Sequence, residues 1–566
     1  MTSGRTCPDA LRDETPRLGP GRVGNDKPRD CNPWALWLAA FGAALVIYVV
    51  TLAPDLVWQD GGEYQWTSAR LSWPPAVHDA STLTGYSVWC RPGEAVRVHP
   101  WFLATARALG LVPFWNYAYA ANLCSAVAMA LAAANIVLVV RLVTGRMAPA
   151  VVAGFSFALG HTIWTFAVMS EVLGWTAAFL SAECLLAWLW IDRRQARWLL
   201  LLFLVNGAAI SDHMMAVFSL AVFGTWMVVE CVRSPRHVES PVATGRVACG
   251  DRRAPWWVLP AAVGCWLAGG TLYWIVGALE YVRTGDLLET ARSMTGGYHG
   301  GSVANMGDLP RLLGRSVLYV GLNYPTPLVA AIAVGAVVLA RRRNAFGVLV
   351  LVLAAIYFLW AARYEVPDQY SFFVPFYVCG SLLIGVGAAA LIAWRRWMAW
   401  LLVALAIAPV GVYAALPSAA RSAGFVFFER KLPYRDPYAY FLRPWKCGDR
   451  SARRFAEEVL AALPENAILL PDTTASMPLK CLQDIEGRRP DVRLADPYDA
   501  RFEAWAEPYW SGDANLLPQL REAGRRVFVV SDHPAYVPKW VRQYGRLEVF
   551  GIVYEVVDRE QGGGGS

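Results

Sequence analysis

Two carboxylates, Asp60 and Glu63, flank Gly61 and Gly62 in "TLAPDLVWQDGGEYQW" (51–66), directly after a long apolar run. Ionised acids at a membrane boundary are costly to desolvate, and they serve as proton carriers, ion ligands or catalytic groups. If the segment is helical the two acids lie one turn apart and share a face. The competing reading is structural: Asp60 caps a short surface helix beginning at Gly61, with Glu63 completing a capping-box-like pattern. A divalent metal between the acids is a rival, but no further Asp or His follows at regular ligand spacing, so no metal is expected.

The elements that must position these acids are membrane helices. Hydrophobic residues make up 56% of the 566-residue chain, charged residues only 17%, and the mean hydropathy is +0.35, which excludes an ordinary soluble protein of this size. Apolar stretches fall at 34–53, 116–140, 148–168, 172–191, 198–210, 214–232, 256–279, 326–340, 345–362, 372–394 and 397–416. This predicts about eleven spans. The fifth is short and ends at "SDH" (211–213), as expected of a broken or tilted helix lining a cavity.

Arginines gather at 141 and 146, at 193, 194 and 197, between 233 and 253, at 341–343 and at 395–396, in each case after an even-numbered span. Cytoplasmic loops carry this excess, so the N-terminus is expected inside, and residues 55–115, 280–325, 363–371 and everything after 417 exoplasmic. The net charge of +7 fits membrane topology, and without a basic stripe interleaved with aromatics no nucleic acid is expected as a partner. Residues 1–33, polar and rich in Pro, Gly and Arg, read as a disordered cytoplasmic tail, and 562–566 as an appended linker. Residues 34–416 form the transmembrane domain, with 54–115 its first exoplasmic loop.

Residues 417–561 change character. "AILLPD" (467–472), "DVRLAD" (491–496), "RRVFVVSDHP" (525–534) and "LEVFGIVYEVV" (547–557) read as short buried strands, and 451–463 as a helix, giving a small exoplasmic α/β domain. Five of the eleven cysteines lie in apolar runs; Cys447 and Cys481 fall in the polar C-terminal region, and a disulfide between them is expected if the region is outside the cytoplasm.

"YVVTLAPDLVWQDGGEYQWTSARL" (48–71) resembles the opening of the membrane glycosyltransferase family that includes transmembrane protein 260, protein O-mannosyltransferases of the GT-C superfamily, whose first helix ends in a TLAP-like sequence before an Asp-Ser-Gly-Glu motif. The likeness continues through "VHPWFLATARALGLVPFWNYAYAANLCSA" (98–126), "SEVLGW" (170–175), "SDHMMAVF" (211–218), "RYEVPDQYSFFVP" (363–375) and "LKCLQDIEGRRPDVRL" (479–494). Gly61 replaces the family's Ser, Trp101, Phe102 and Leu103 depart from its His-Pro-Pro-Gly-Tyr-Pro segment, and roughly twenty extra residues separate the two motifs.

The resemblance implies a GT-C fold, a polyprenyl-phosphate sugar donor and transfer on the exoplasmic face. Asp60 then takes the proton of an acceptor hydroxyl, with inversion at the anomeric carbon, and Glu63 holds the acceptor backbone or a sugar hydroxyl. The departing phosphate needs a cation or a protonated His. Arg363 and His213 are favoured by the family landmarks, with His99, Arg315 and His299 as further candidates; snorkelling explains Arg363, and a helix break His213, equally well. Glu171 is expected either to orient the catalytic loop or to face water, and Asp368, Tyr364 and Tyr370 to line the same cavity, an aromatic belt at the interface explaining the two tyrosines equally well. Residues 75–98 and the Gly-rich loop 280–325 are expected to be mobile and to close over donor or acceptor. The implied activity is transfer of mannose or a similar hexose to Ser or Thr of exported proteins, the lipid-linked sugar being a co-substrate and no cofactor being required. Alternatives are a lipid or cell-surface glycan acceptor and, in another class, a secondary transporter or lipid flippase.

Overall fold

The computed structural model describes residues 32–71, 93–232, 255–296, 308–426, 430–497 and 506–559. Helices α1 (Pro33–Val50), α4 (Tyr117–Thr144), α7 (Leu173–Arg193) and α15 (Ala345–Arg363) are each long and apolar enough to cross a membrane, as is the stretch Gln369–Trp394 that contains α16 (Val374–Trp394). Side-chain caps start three of these: Asn32, Asn116 and Asn344 each accept a backbone N–H from the first turn of the helix that follows.

Four further apolar segments are bent pairs, making up to nine spans among the described residues. They are α5 (Met147–Ala158) with α6 (His161–Ala167), α10 (Val258–Gly269) with α11 (Thr271–Thr284), α13 (Leu309–Asn323) with α14 (Ala330–Arg342), and α17 (Met398–Ile407) with α18 (Pro409–Ser422). The two remaining expected segments are occupied by the 17-residue helices α8 (Ala196–Asp212) and α9 (Ala216–Val232), which separate at His213. Every one of the eleven apolar stretches is thus a helix or a bent pair. Alanine-rich α4, its centre buried, packs against α1, α5 and α7.

Between α1 and α4 lie α2 (Gln59–Ala69) and α3 (Pro100–Leu109). The capping box is not formed: Trp58 is the N-cap of α2 and makes no side-chain cap, and Asp60 is already inside the helix. Of the region expected to be a mobile loop, 280–325, the described residues continue α11 to Thr284, then form α12 (Leu287–Thr295) and α13; 297–307 and His299 lie outside the described residues. Of the other expected flap, 72–92 lies outside the described residues, whereas Ala95–Arg97 is a single 3-10 turn.

Beyond α19 (Pro437–Leu442) and α20 (Ser451–Ala462) comes the C-terminal domain. Its strands are β1 (Ile468–Leu470), β2 (Arg493–Leu494), β3 (Val527–Val529), β4 (Gly545–Phe550) and β5 (Val553–Asp558), in the order β2-β1-β3-β5-β4. The first three positions are parallel and the last two antiparallel. Residues 547–557, read as one strand, are a hairpin: the chain reverses at Gly551, whose φ of +60° is open to glycine. Helix α21 (Ser476–Lys480) runs on into a π-helical turn, Cys481–Ile485. The expected disulfide is not formed, for Cys481 is buried beneath α2 with its Sγ 3.9 Å from the Gly62 carbonyl, while Cys447 is exposed and also a free thiol.

Side chains alternate across the sheet. Ile468 and Leu470 join one core with Trp540, whereas Leu469 and Phe528 join another that includes Leu56, Trp58 and Trp66. One face of the domain is therefore completed by the segment that carries the acids.

Candidate active site

The connections after the first, third, fifth, seventh, ninth and eleventh apolar segments meet at one end of the bundle, around a cavity of about 660 Å³. Its polar lining is Asp60 and Arg97, Glu171, His99 and His213, Asp368 and Thr473; Met214, Met215, Phe218, Trp360, Tyr364 and Phe372 make an apolar wall.

Asp60 reaches this cavity because α2 is pinned at several points. Gln65 accepts the Val57 N–H (3.1 Å) and donates to the Asn122 Oδ1 (3.0 Å), while Asn122 donates to the carbonyls of Ala53 and Asp55. The same Asn122 oxygen accepts the Ser170 N–H at 2.9 Å, and the Ser170 hydroxyl donates to the Gly61 carbonyl. Ser125 receives the Glu171 N–H and donates to the Glu171 carbonyl, fixing the other acid loop. The two glycines between the acids serve close approach: a Cβ on Gly61 would lie 2.7 Å from Val57 Cγ2, and one on Gly62 2.6 Å from the Val57 carbonyl and 3.0 Å from Met477 Cβ.

Glu63 is one turn from Asp60 on α2, as the spacing suggests, but it is only 6% exposed and pairs with Arg97 at 3.8 Å. Arg97 also pairs with buried Glu94 at 3.3 Å. Sequence reasoning missed this arginine. Its segment is carried by contacts distant in sequence: Gly93 N–H donates to Glu280 on α11, and Ala95 N–H to Ser293 on α12.

His99, the N-cap of α3, adopts φ 50°, and its Nδ1 lies 2.6 Å from the Asp212 carbonyl, so that nitrogen carries the proton. Its ring stacks on His213, centroids 5.2 Å apart. His213 Nδ1 accepts the Met215 N–H, and burial lowers its pKa to about 4, which makes it a neutral ring rather than a cation. Burial and then the neighbouring Asp60 and Asp368 raise Glu171 well above the usual carboxylate range. Burial, followed by Asp60, raises Asp368 to about 6.

Other candidates fall elsewhere. Arg363 ends α15, half-buried and outside the cavity lining, while Arg315 on α13 pairs with Glu365 at 3.7 Å. Tyr364 lines the cavity, stacked on Trp360 and edge-on to Phe372 at 4.6 Å; Tyr370 packs against Phe166 behind it. Among the described residues no three His, Cys, Asp or Glu side chains stand at metal-holding spacing.

No protein-family model matches the chain, and no curated protein does so. Solved structures do. ArnT from Cupriavidus metallidurans in the apo state aligns with a TM-score of 0.54 and 16% identity, over 93% of this chain and 98% of that one. The same protein bound to undecaprenyl phosphate aligns with a TM-score of 0.54 and 13% identity over the same shares. The apo oligosaccharyltransferase of Archaeoglobus fulgidus aligns at 0.45 and 11%, over 94% and 75%. The chain shares with ArnT its fold, that of a helical polytopic membrane protein with a small C-terminal α/β domain.

Proposed function

We propose that this protein is an inverting membrane glycosyltransferase that moves mannose or a similar hexose from a polyprenyl-phosphate donor to Ser or Thr hydroxyls of exported proteins, on the exoplasmic face. The observation that carries this reading is the joint presence of Asp60 and Arg97 on one cavity, opposite an apolar wall of Met214, Met215, Phe218, Trp360 and Phe372. A carboxylate, a guanidinium and an apolar slot are the three groups that a nucleophilic hydroxyl, a phosphate and an isoprenoid require. The likeness to a protein solved with undecaprenyl phosphate supports the donor class.

Asp60 accepts the proton of the acceptor hydroxyl as its oxygen bonds to the anomeric carbon. The bond from that carbon to the phosphate oxygen breaks, and the lipid phosphate leaves with the electron pair. Arg97 faces the charge that builds on it. Half-buried His213, neutral, donates a hydrogen bond without adding charge, because its Nδ1 is already an acceptor and its proton resides on Nε2. Glu63 holds Arg97 in place rather than touching the acceptor. Burial, then Asp60 and Asp368, raises Glu171 and so favours a proton on it, while Asp368, raised to about 6, holds its proton only below about that pH.

The test is sugar transfer by purified protein from polyprenyl-phosphate mannose to a panel of exported-protein peptides and glycolipids, wild type against Asp60→Asn. Transfer to peptide, reduced by at least about 100-fold in the variant, is expected. Unchanged transfer in a folded Asp60→Asn removes Asp60 from the mechanism; activity only with another lipid-linked sugar, or only on glycolipid, overturns the mannose or the protein acceptor.

A further inference from the structure

In α/β sheets, ligands bind outside the carboxyl ends of parallel strands, where the order of connection reverses. In the C-terminal domain β1 leads outward to β2, and β2 crosses back to β3 on the other side of β1, so the reversal lies at the carboxyl ends of β1 and β3. The residues found there are Asp472 after β1, Asp496 after β2 and Ser531 to His533 after β3.

This edge grips α2. The Asp472 carboxylate pairs with Arg430, whose guanidinium lies 4.3 Å from the centroid of the Tyr536 ring, just beyond β3. The other Asp472 oxygen accepts the backbone N–H groups of Thr474 (2.8 Å) and Ala475 (3.3 Å), shaping a turn that presents the Thr474 carbonyl to the Gln59 N–H at 3.4 Å. Asp496 pairs with Lys480 at 3.3 Å, and the Lys480 ammonium lies 5.3 Å from the Trp66 ring of α2. In the π-helical turn Asp484 accepts the Trp66 indole N–H at 2.8 Å. The domain thus holds α2 at its first residue and again two turns on, with Gly62 pressed against Met477 between them. Gln59, which precedes Asp60 and lines the cavity, has φ 58°, a left-handed conformation that a residue with a side chain keeps only where its surroundings over-determine it.

We propose that the ligand-holding edge of the C-terminal domain has the catalytic helix as its occupant, and that Asp472 and Asp484 are positioning residues for Asp60. The inference rests on the reading of Asp60 as base. Asp472 acts through Thr474 on the strained Gln59 peptide, and Asp484 acts through Trp66 on the rotation and height of α2. The π-helical turn brings Asp484 under Trp66, a local irregularity of the kind that recurs at functional sites.

The experiment compares full-length wild type, Asp484→Ala, Asp484→Asn, Trp66→Phe, the Asp484→Ala/Trp66→Phe double variant and Asp472→Ala in detergent. Steady-state transfer from polyprenyl-phosphate mannose, the thermal midpoint and hydrogen–deuterium exchange across 59–69 are measured for each. Because a displacement of about 1 Å at a reacting group costs about 100-fold, kcat is expected to fall by about 10- to 100-fold in Asp484→Ala, Trp66→Phe and Asp472→Ala while donor KM changes by less than about twofold. The double variant is expected to be no worse than either single one, and Asp484→Asn, which keeps an acceptor for the indole, to stay close to wild type. Exchange in 59–69 is expected to speed up in the impaired variants. Unchanged kcat and unchanged exchange in folded variants overturn the proposal, as does a loss of kcat that tracks the thermal midpoint with α2 exchange unaltered. If Asp484→Ala does not fold, Trp66→Phe and Asp472→Ala decide. Should wild type transfer no sugar, the functional reading fails by itself and exchange in 59–69 still decides whether the domain holds α2.

Discussion

The Ser170 hydroxyl donates to the Gly61 carbonyl at 2.5 Å, tying the loop that carries Glu171 to the peptide beside Asp60. Both partners are buried, and the Gly61 carbonyl keeps its place in the α2 ladder, so Ser170→Ala removes one buried hydrogen bond at a cost of about 0.5–1.5 kcal/mol. A lowered thermal midpoint together with about tenfold lower transfer is expected, because the two acids lose their common tie. A midpoint that falls with full activity retained would separate this bond from the chemistry.

Gly61→Ala attacks the same place from the other side. The added Cβ meets Val57 Cγ2 at 2.7 Å and the Ser170 carbonyl at 3.1 Å, and the latter is backbone that cannot rotate away. Overpacking of about 1–3 kcal/mol is expected in thermal unfolding, with α2 displaced and kcat reduced. Gly314, by contrast, has open space where its Cβ would go, so Gly314→Ala serves as the control that leaves both quantities near wild type.

Much of this arrangement was legible in sequence. The eleven apolar segments and their parity rest on local properties, hydrophobic length and the asymmetry of arginine, and the odd-numbered connections do converge on one cavity. The stretches quoted for the family resemblance also assemble: Asn122 and Ser125 from one bind Ser170 and Glu171 from another. Arg97 was not legible, because what places it is the docking of Gly93 and Ala95 on Glu280 and Ser293, nearly two hundred residues away. Arg363 was favoured by the family landmarks and Arg315 was a candidate only by its side of the membrane, and neither ground separates the cavity wall from its surroundings. In the C-terminal domain apolar residues run on through 547–557, and only Gly551 marks the reversal that makes two strands of one.

Arg97 faces two buried carboxylates and the cavity at once. Its planar fork suits that task, whereas lysine offers a single point charge. Arg97→Lys is expected to raise donor KM by about tenfold and Arg97→Gln by about 100-fold, with little change in affinity for acceptor, since both lose the phosphate's partner. Arg97→Gln also withdraws a cation from Glu63 and Glu94, so its thermal midpoint falls; adding Glu63→Gln is expected to restore part of the stability without restoring donor binding. Binding of polyprenyl phosphate alone, followed by titration calorimetry, checks the assignment, and an unchanged affinity in Arg97→Gln would remove this residue from the phosphate site.

The carboxyls around Asp60 set a pH dependence whose sign can be worked out. Asp368 has its pKa raised to about 6 by burial and by the Asp60 charge, with Arg97 opposing, and Glu171 is raised by burial and then by Asp60 and Asp368. Below pH 6 Asp368 is neutral, and above it the cavity gains a negative charge beside the place where an anionic phosphate must enter. Donor KM is therefore expected to rise as pH climbs through about 6, by roughly tenfold if the new charge costs about 1.4 kcal/mol. Asp368→Asn stays neutral throughout and is expected to abolish this rise while leaving kcat at pH 5 near that of wild type. Replacing Glu171 by Gln leaves the Asp368 carboxyl in place, so the same limb should persist in Glu171→Gln. A limb that persists in Asp368→Asn and vanishes in Glu171→Gln would reassign the titrating group from the ninth connection to the third.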